Sequence, residues 1–256
     1  MPRRRPLILL PPSKGKLDGG DGPAYGRTFD TDHPLAAPRR AVLGALATDV
    51  PTLRDPEIAR LAGVGARDAV ARGAELTTLA TAATVPAHRR YTGVVHGNAG
   101  LTELRPDRVR AEVRIVSALL GLAGLAEPVP HYRLEFSASL PTLGGLAPFW
   151  RDALADHLWT LGRGRRIWDL LPGEHRRVWQ PRVRAGLDVV EVSFVRPDGR
   201  AANAARTKVA KGRLAAAVIA MPELAPDDLS GAVDLGDGWT ITVEGPQVRA
   251  TWSDPG

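Results

Sequence analysis

The sequence predicts an α/β (α+β) fold in which helices flank a mixed central sheet, and two observations lead to this prediction. Segments with the spacing of strands alternate with segments that have the spacing of helices, and no internal repeat is present. The chain has 256 residues, of which 44% are hydrophobic and 24% charged, which is typical of a soluble protein with a substantial core. We therefore expect a single domain over residues 1–256, with a helical insertion at about 35–90.

In the first half of the chain, apolar runs and alternation define the elements in order. The continuous apolar run at 7–10 predicts a buried strand that leads into a loop rich in Gly, Pro and Lys. Residues 35–48 predict a helix, and residues 55–75 predict two helices separated by a tight break. Residues 112–117 alternate between apolar and polar side chains and predict a strand, as do residues 131–136.

The second half predicts, in order, a helix at 146–161, strands at 165–171 and 187–195, a helix at 202–221 that begins near Asn203, and a terminal hairpin at 239–252. Apolar residues at helical spacing support the first of these helices. The segment at 187–195 is rich in Val and Phe, which supports the second of these strands. The later helical segment is rich in alanine and contains no proline, which favours a helix. Gly245 and Pro246 provide the turn of the hairpin.

Missing residue types and patterns exclude several classes of site. The chain has no cysteine, which excludes disulfides, thiol nucleophiles, zinc fingers and iron–sulfur clusters. Its six histidines include no pair at i, i+3 or i, i+4, so we expect no metal site and no cofactor. No apolar run approaches the roughly 18–20 residues of a membrane span, and the four apolar residues at 7–10 are too few for a signal peptide. We therefore expect a cytoplasmic protein without a membrane partner.

The net charge of +6 averages two regions of opposite sign. Residues 222–256 contain seven acidic residues and one arginine, so this tail carries −6 and residues 1–221 carry +12. Such asymmetry predicts a surface that faces a polyanion, and double-stranded DNA is the first candidate partner. The alternative is a solvated basic face without a partner.

The lysines occupy only two short clusters. Of the 34 basic residues 30 are arginine, and the four lysines are Lys14, Lys16, Lys208 and Lys211. A codon bias that leaves four lysines behind is one explanation. The chemical alternative is that lysine, unlike arginine, has a pKa that burial lowers and an amine that attacks a carbonyl carbon. On that basis Lys14, Lys16 and Lys208 are candidate catalytic residues, and Lys211 is a candidate DNA contact.

The tight break at 61–70 matches the pattern of a helix-hairpin-helix. Gly63 and Gly65 surround an apolar residue, and a helix-like segment follows. Glycine permits positive φ and close backbone approach, so the N–H groups that open the next helix can face a phosphate oxygen. Arg67 would add a charged contact to the DNA backbone. The alternative is an ordinary tight turn between two helices.

Several segments together resemble one family. They are LILLPPSKGK at 7–16, RYTGVV at 90–95, VRIVSALLGL at 113–122, PHYRLEF at 130–136, the FWR…L segment at 149–161 and SFVRPDGR…KVAKGRL at 193–214. In this order and combination they resemble the DUF328/UPF0246 family of peroxide-stress proteins, called YaaA. The resemblance implies a single α/β body with a helix-hairpin-helix and a positively charged cleft that binds DNA. It also implies a role in protecting DNA from peroxide and intracellular iron.

Three departures from the family pattern indicate a divergent member of actinobacterial type. Ala205 stands where the family commonly has a histidine. Residues 118–121 read Ala-Leu-Leu-Gly instead of Gly-Leu-Tyr/Trp-Gly, and residues 126–128 read Ala-Glu-Pro where Arg-Pro is expected.

The leading hypothesis is a DNA-binding protein whose basic cleft gathers both lysine clusters. The candidate DNA contacts are Ser13, Gly63, Gly65, Arg67, Tyr91, Arg133, Lys211 and Arg213. We expect Lys14 or Lys16 to lie in one cleft with Lys208 and Arg133.

Two enzymatic alternatives remain open at this point. One is a DNA glycosylase/lyase that acts on a modified or damaged base, with a lysine nucleophile and Asp169 as the supporting carboxylate. The other is a small-molecule enzyme that acts on a nucleotide-like anion held by the basic cleft.

Overall fold

A seven-stranded mixed sheet forms the centre of the protein in the computed structural model, which describes residues 5–29, 32–109 and 111–254. Helices pack on this sheet, which confirms the predicted α/β class. The strands of the described residues are β1 (Leu7–Leu10), β2 (Gly22–Ala24), β3 (Ala83–Pro86), β4 (Glu112–Ser117), β5 (Gly121–Gly124), β6 (Pro128–Pro130), β7 (Ser139–Leu140), β8 (Gly144–Gly145), β9 (Arg166–Asp169), β10 (Asp188–Val195), β11 (Trp239–Glu244) and β12 (Gln247–Trp252).

The α-helices of the same residues are α1 (Ala36–Asp49), α2 (Asp55–Ala62), α3 (Ala69–Thr77), α4 (Ala87–Arg90), α5 (Val94–Asn98), α6 (Leu146–Ala153), α7 (Ala155–Gly162), α8 (Gly173–Arg176), α9 (Pro181–Ala185), α10 (Ala204–Ala220) and α11 (Leu229–Ala232). Short 3₁₀ turns join several of them, including Ala66–Asp68 between α2 and α3. The longest helix is α10, which carries the second lysine cluster.

The order of strands in the main sheet is β11-β12-β10-β9-β1-β4-β5, and its five inner strands are parallel. Only the edge strands β5 and β11 run antiparallel to their neighbours. Parallel strands with both faces covered are continuously apolar, and every residue of β1 is fully buried. Because β1, β9 and β10 are parallel, the segments that follow them leave the sheet at one edge. Open α/β sheets place their sites at this carboxyl edge.

Three of the predicted elements differ from the structure. Residues 131–136 form no strand, because the backbone N–H of Glu135 bonds to Leu61 O at 2.8 Å, outside any sheet. The helix predicted at 146–161 is interrupted at Leu154 and becomes α6 and α7. The strand predicted at 165–171 ends at Asp169, where the chain turns toward α8.

Helix α1, in the predicted insertion, packs directly against the sheet. Arg39 of this helix is buried and donates to Leu120 O at 3.0 Å. Its guanidinium also pairs with Glu127 at 2.9 Å. A single domain with an insertion at 35–90 stays a prediction, and this contact is consistent with it.

The first turn of α10 is stabilised by Asn203, as the predicted helix start requires. The Asn203 side chain accepts hydrogen bonds from the backbone N–H groups of Ala205 at 2.9 Å and Arg206 at 3.3 Å. We expect Asn203→Ala to lower the free energy of unfolding by about 1 kcal/mol, because these two N–H groups lose their acceptor. Chemical denaturation measures the change. Asn203→Asp preserves the cap and should be near neutral, and equal losses in both variants would contradict this role.

Candidate lysine site at the carboxyl edge of the sheet

The loop that follows β1 is held against the segment that follows α4. The backbone N–H of Thr92 donates to Gly15 O at 3.2 Å, and the N–H of Gly93 donates to the Ser13 hydroxyl at 3.2 Å. Lys16 and Tyr91 form an isolated antiparallel bridge. Ser13 and Tyr91, both predicted as DNA contacts, therefore act in the structure as parts of the frame that fixes the lysine loop.

Lys16 is the inward-facing lysine of this loop. Its Nζ donates to Ser13 O at 2.7 Å and lies 4.4 Å from the centre of the Tyr132 ring and 5.4 Å from that of Tyr91. The two tyrosines are buried, and their hydroxyl oxygens are 2.8 Å apart. A cation over aromatic faces is stabilised by the ring quadrupoles. We call Lys16, Tyr91 and Tyr132 the Lys16 pocket.

Burial, with a smaller contribution from the charge of Arg133, lowers the pKa of Lys16 to about 7. Glu75 and Glu135 act in the opposite direction but do not cancel these effects. Neutral lysine is nucleophilic, whereas the protonated form is not. Near neutral pH, a substantial fraction of Lys16 is therefore the free amine.

The glycine turn between α2 and α3 lies against this loop. Gly63 ends α2 with φ of 62°, in the left-handed region that favours glycine. A Cβ at this position would overlap the carboxylate of Glu135. Glu135 in turn pairs with Lys14 Nζ at 3.0 Å, and the Lys14 side chain is 67% exposed. The turn and the lysine loop therefore form one continuous surface, linked through Glu135.

The other members of the turn face outward. Gly65 begins the 3₁₀ turn Ala66–Asp68 and has no atom within 4 Å of the position of a Cβ. Arg67 is exposed. The turn therefore presents its backbone and one guanidinium group to solvent.

The second cluster separates into one exposed and one buried lysine. Lys208 is exposed, in the second turn of α10. Lys211 is only 7% exposed, and its Nζ lies 5.5 Å from the centre of the Phe194 ring. Burial lowers the pKa of Lys211 to about 8, Arg176 adds to this effect, and Asp169 opposes it. Arg213 is exposed, and its Nη1 lies 3.4 Å from Asp234.

Asp169 is a fully buried carboxylate at the end of β9. It accepts hydrogen bonds from Leu171 N at 3.0 Å and from Trp179 Nε1 at 3.1 Å. Arg176 Nε lies 3.5 Å from it. Burial raises the pKa of Asp169, although Arg176 and these hydrogen bonds act against the increase. The contacts hold Asp169 beside Lys211, rather than beside Lys16.

Two packing contacts connect the lysine clusters. Helix α10 lies close to α5 at Gly212, where a Cβ would come within 2.6 Å of Val95 O, and α5 begins directly after Gly93 of the lysine frame. On the other side, Phe136 stacks on His175 at 5.0 Å between ring centres, and the charge of Lys211 contributes to the low pKa of His175. Neither contact involves Lys208, which is expected to share one cleft with Arg133 and with Lys14 or Lys16. Its convergence with them stays a prediction.

Four residues of this region were not predicted as site residues: Tyr132, Glu135, His175 and Thr207. Glu135 and Tyr132 belong to the segment at 131–136, which the alternation of its side chains made look like a strand. His175 and Thr207 carry no local pattern, and they join the region only through tertiary packing. Among residues 5–29, 32–109 and 111–254, no group of three or more His, Asp or Glu side chains is arranged to hold a metal ion. None of the helices in these ranges is long and apolar enough to cross a membrane.

The fold and the site define a class of protein: an α/β protein with two lysine clusters in the segments that follow parallel strands of a mixed sheet. The family model described as peroxide stress protein YaaA matches residues 7–240. A UPF0246 protein of Streptomyces coelicolor is 31% identical over 250 residues, which cover 94% of this chain and 93% of the relative. A UPF0246 protein of Corynebacterium efficiens is 30% identical over 247 residues, covering 93% and 94%. The chain belongs to the YaaA (UPF0246) peroxide-stress family.

Proposed function

We propose that this protein binds double-stranded DNA through the surface that joins the glycine turn after α2 to the lysine loop after β1. The observation that carries the proposal is the contact of Gly63 with Glu135, which pairs with Lys14. This contact joins the glycine turn after α2, whose backbone is exposed, to the lysine loop after β1. Backbone N–H groups and basic side chains are the groups that contact DNA phosphates.

The charge distribution supports a backbone contact rather than recognition of a base sequence. Arg67 and Lys208 are exposed, and Arg133 lies half-buried beside the Lys16 pocket. In the acidic tail, Asp234 contacts Arg213, one of the candidate DNA contacts, at 3.4 Å. Phosphate contacts of this kind give affinity that falls steeply with salt. In this proposal the protein protects DNA under peroxide stress by covering its backbone.

We expect Arg67→Ala to weaken binding to a duplex oligonucleotide several-fold and to reduce the slope of log affinity against log salt by about 1, because one phosphate contact is lost. Fluorescence anisotropy across a salt series measures both quantities. The matched control is Arg108→Ala, since Arg108 is also exposed but precedes β4, at the opposite edge of the sheet. Equal effects of the two substitutions would overturn the proposal. Gly63→Ala is unsuitable as a test because the new methyl group would displace Glu135.

A second candidate function is a lyase that acts on damaged DNA, and the chemistry of Lys16 favours it. The pKa of Lys16 is lowered to about 7, chiefly by burial, so this lysine supplies a free amine near neutral pH. Such an amine attacks the C1′ aldehyde of an abasic sugar and forms an imine with loss of water. Asp169, the other candidate of this mechanism, lies beside Lys211. Lys16 would therefore act without that carboxylate.

A further inference from the structure

Three polar groups near α10 have no hydrogen-bond partner in the described part of the protein. Lys211 is 7% exposed and makes no hydrogen bond or ion pair there, although its Nζ is not fully enclosed. The hydroxyl of Thr207, one helical turn before it, is buried without a partner. His175 is 8% exposed, and its Nδ1 lies 3.4 Å from Glu174 Oε1 without making a hydrogen bond. Buried polar atoms nearly always have partners, so the Thr207 hydroxyl and His175 Nδ1, both in the neighbourhood of Lys211, need an explanation.

The three groups share one chemical property, which is that each can donate a hydrogen bond. Thr207 and Lys211 are at positions i and i+4 of α10 and therefore lie on one face of this helix. Burial, and to a smaller extent the charge of Lys211, lowers the pKa of His175 to about 4. Near neutral pH the imidazole is therefore neutral, and one of its ring nitrogens carries a proton. Donors without acceptors are complemented by an anion with several oxygen atoms.

The groups around the cluster carry both signs, and Lys211 is a cation that makes no ion pair among the described residues. Arg176 contributes positive charge, and its guanidinium is already fixed by Glu191 at 2.9 Å and by Val192 O at 2.7 Å. The nearest buried carboxylate, Asp169, has its oxygens bonded to Leu171 N and Trp179 Nε1. No hydrogen bond or ion pair joins Asp169 to Lys211 in the described part of the chain.

We propose that Lys211, Thr207 and His175 form a binding site for a terminal phosphate group. A phosphodiester within a strand carries a sugar on both sides and needs an open groove. A lysine with only 7% of its surface exposed offers its ammonium through a narrow opening, which favours a group at the end of a ligand. The ligand is therefore a phosphate monoester, either of a nucleotide or of a DNA strand end. If the ligand is a DNA strand end, the proposal rests on the proposed function; if the ligand is a nucleotide, it does not.

Lysine acetylation tests this site directly, because the chain has only four lysines. The protein is treated with acetic anhydride, and peptide mass spectrometry measures the acetylation rate of each lysine. The probes are inorganic phosphate, thymidine 5′-monophosphate, and an oligonucleotide with either a 5′-phosphate or a 5′-hydroxyl end. Sodium chloride at matched ionic strength is the reference.

We expect phosphate and the monophosphate to slow the acetylation of Lys211 at least about three-fold, while Lys208, one turn away and exposed, is unaffected. Protection by the 5′-phosphorylated oligonucleotide but not by its 5′-hydroxyl counterpart would identify a strand end as the source of the phosphate. Protection by the mononucleotide alone would identify a nucleotide. Unchanged acetylation of Lys211 with every probe, or equal protection of Lys208, would overturn the proposal.

The variants Thr207→Val and Thr207→Ser provide a second measurement in which Lys211 remains as the reporter. Removing the hydroxyl at constant shape should reduce the protection several-fold, and serine should retain it. Equal protection in both variants would remove Thr207 from the site. Salt-dependent duplex binding without protection of Lys211 would refute this site and leave the proposed function intact. Protection of Lys211 by phosphate in a protein that does not bind duplex DNA would support this site and refute the proposed function.

Discussion

Replacing Lys16 by arginine should abolish the adduct that borohydride traps between this protein and DNA with an abasic site. In the proposed lyase reaction, the Lys16 amine of the wild type would attack the C1′ aldehyde of the ring-opened sugar, and water would leave as the imine forms. Borohydride then delivers a hydride to the C=N carbon and makes a stable secondary amine. Arginine keeps the positive charge but cannot form the imine. We expect at least about a hundred-fold loss of adduct, the range for removing an activated nucleophile.

The pH profile and the neighbouring lysine make this prediction specific. Because burial lowers the pKa of Lys16 to about 7, adduct formation should rise with pH through 7 and then level off. Lys14 lies two residues away, is 67% exposed and pairs with Glu135, so Lys14→Arg should retain most of the adduct. The variant Lys16→Met also lacks the amine, and its thermal unfolding is measured alongside adduct formation. A normal unfolding temperature without an adduct shows that the amine, and not the fold, has been lost. An adduct that survives Lys16→Arg but disappears in Lys14→Arg would assign the chemistry to the exposed lysine.

Local patterns predict the elements that are stabilised locally or buried on both faces. The apolar run at 7–10 is β1, the alternation at 112–117 is β4, and Asn203 caps α10 as predicted. The strand β5 was not predicted because Gly121–Gly124 has neither alternation nor β-branched residues. It pairs with β4, and Trp150 packs on Gly121, where a Cβ would come within 2.5 Å of the indole ring. Its existence depends on that tertiary contact and not on its own sequence.

The same distinction applies to the site. Composition identified both lysine clusters, since four lysines among 34 basic residues are conspicuous. Composition could not distinguish the exposed lysine of each cluster from the more enclosed one, because the enclosure of half-buried Lys16 and of buried Lys211 comes from rings that are distant in sequence. These rings are Tyr132 for Lys16 and Phe194 for Lys211. Helix spacing placed Lys208 and Lys211 near one face of α10, but only the packing of that helix shows which lysine is enclosed.

Replacing Lys211 by methionine should raise the free energy of unfolding in phosphate-free buffer at pH 7. Burial and Arg176 lower the pKa of Lys211 from 10.5 in the unfolded chain to about 8 in the folded protein. Charging this amine is therefore disfavoured in the folded state by about 3.5 kcal/mol, taking about 1.4 kcal/mol for each pKa unit. Methionine fills a similar volume without a charge, and apolar replacement of buried charge is often stabilising. We expect a gain of on the order of 1–3 kcal/mol by urea denaturation, allowing for the ring contact with Phe194 that is lost.

The pH dependence of this gain distinguishes a buried charge from a general packing effect. Below pH 8 both the folded and the unfolded lysine are protonated, so the full penalty opposes folding. Between about pH 8 and 10.5 the folded lysine releases its proton while the unfolded one keeps it, and the wild type becomes more stable relative to the variant. The advantage of Lys211→Met should therefore shrink as the pH rises from 7 to 9.5, whereas Lys208→Met, at an exposed position, should stay within about 0.5 kcal/mol of the wild type throughout. A gain that is independent of pH would mean that packing alone stabilises the variant. A large loss at pH 7 would mean that the Lys211 ammonium is satisfied within the protein, and it would count against the phosphate site as well.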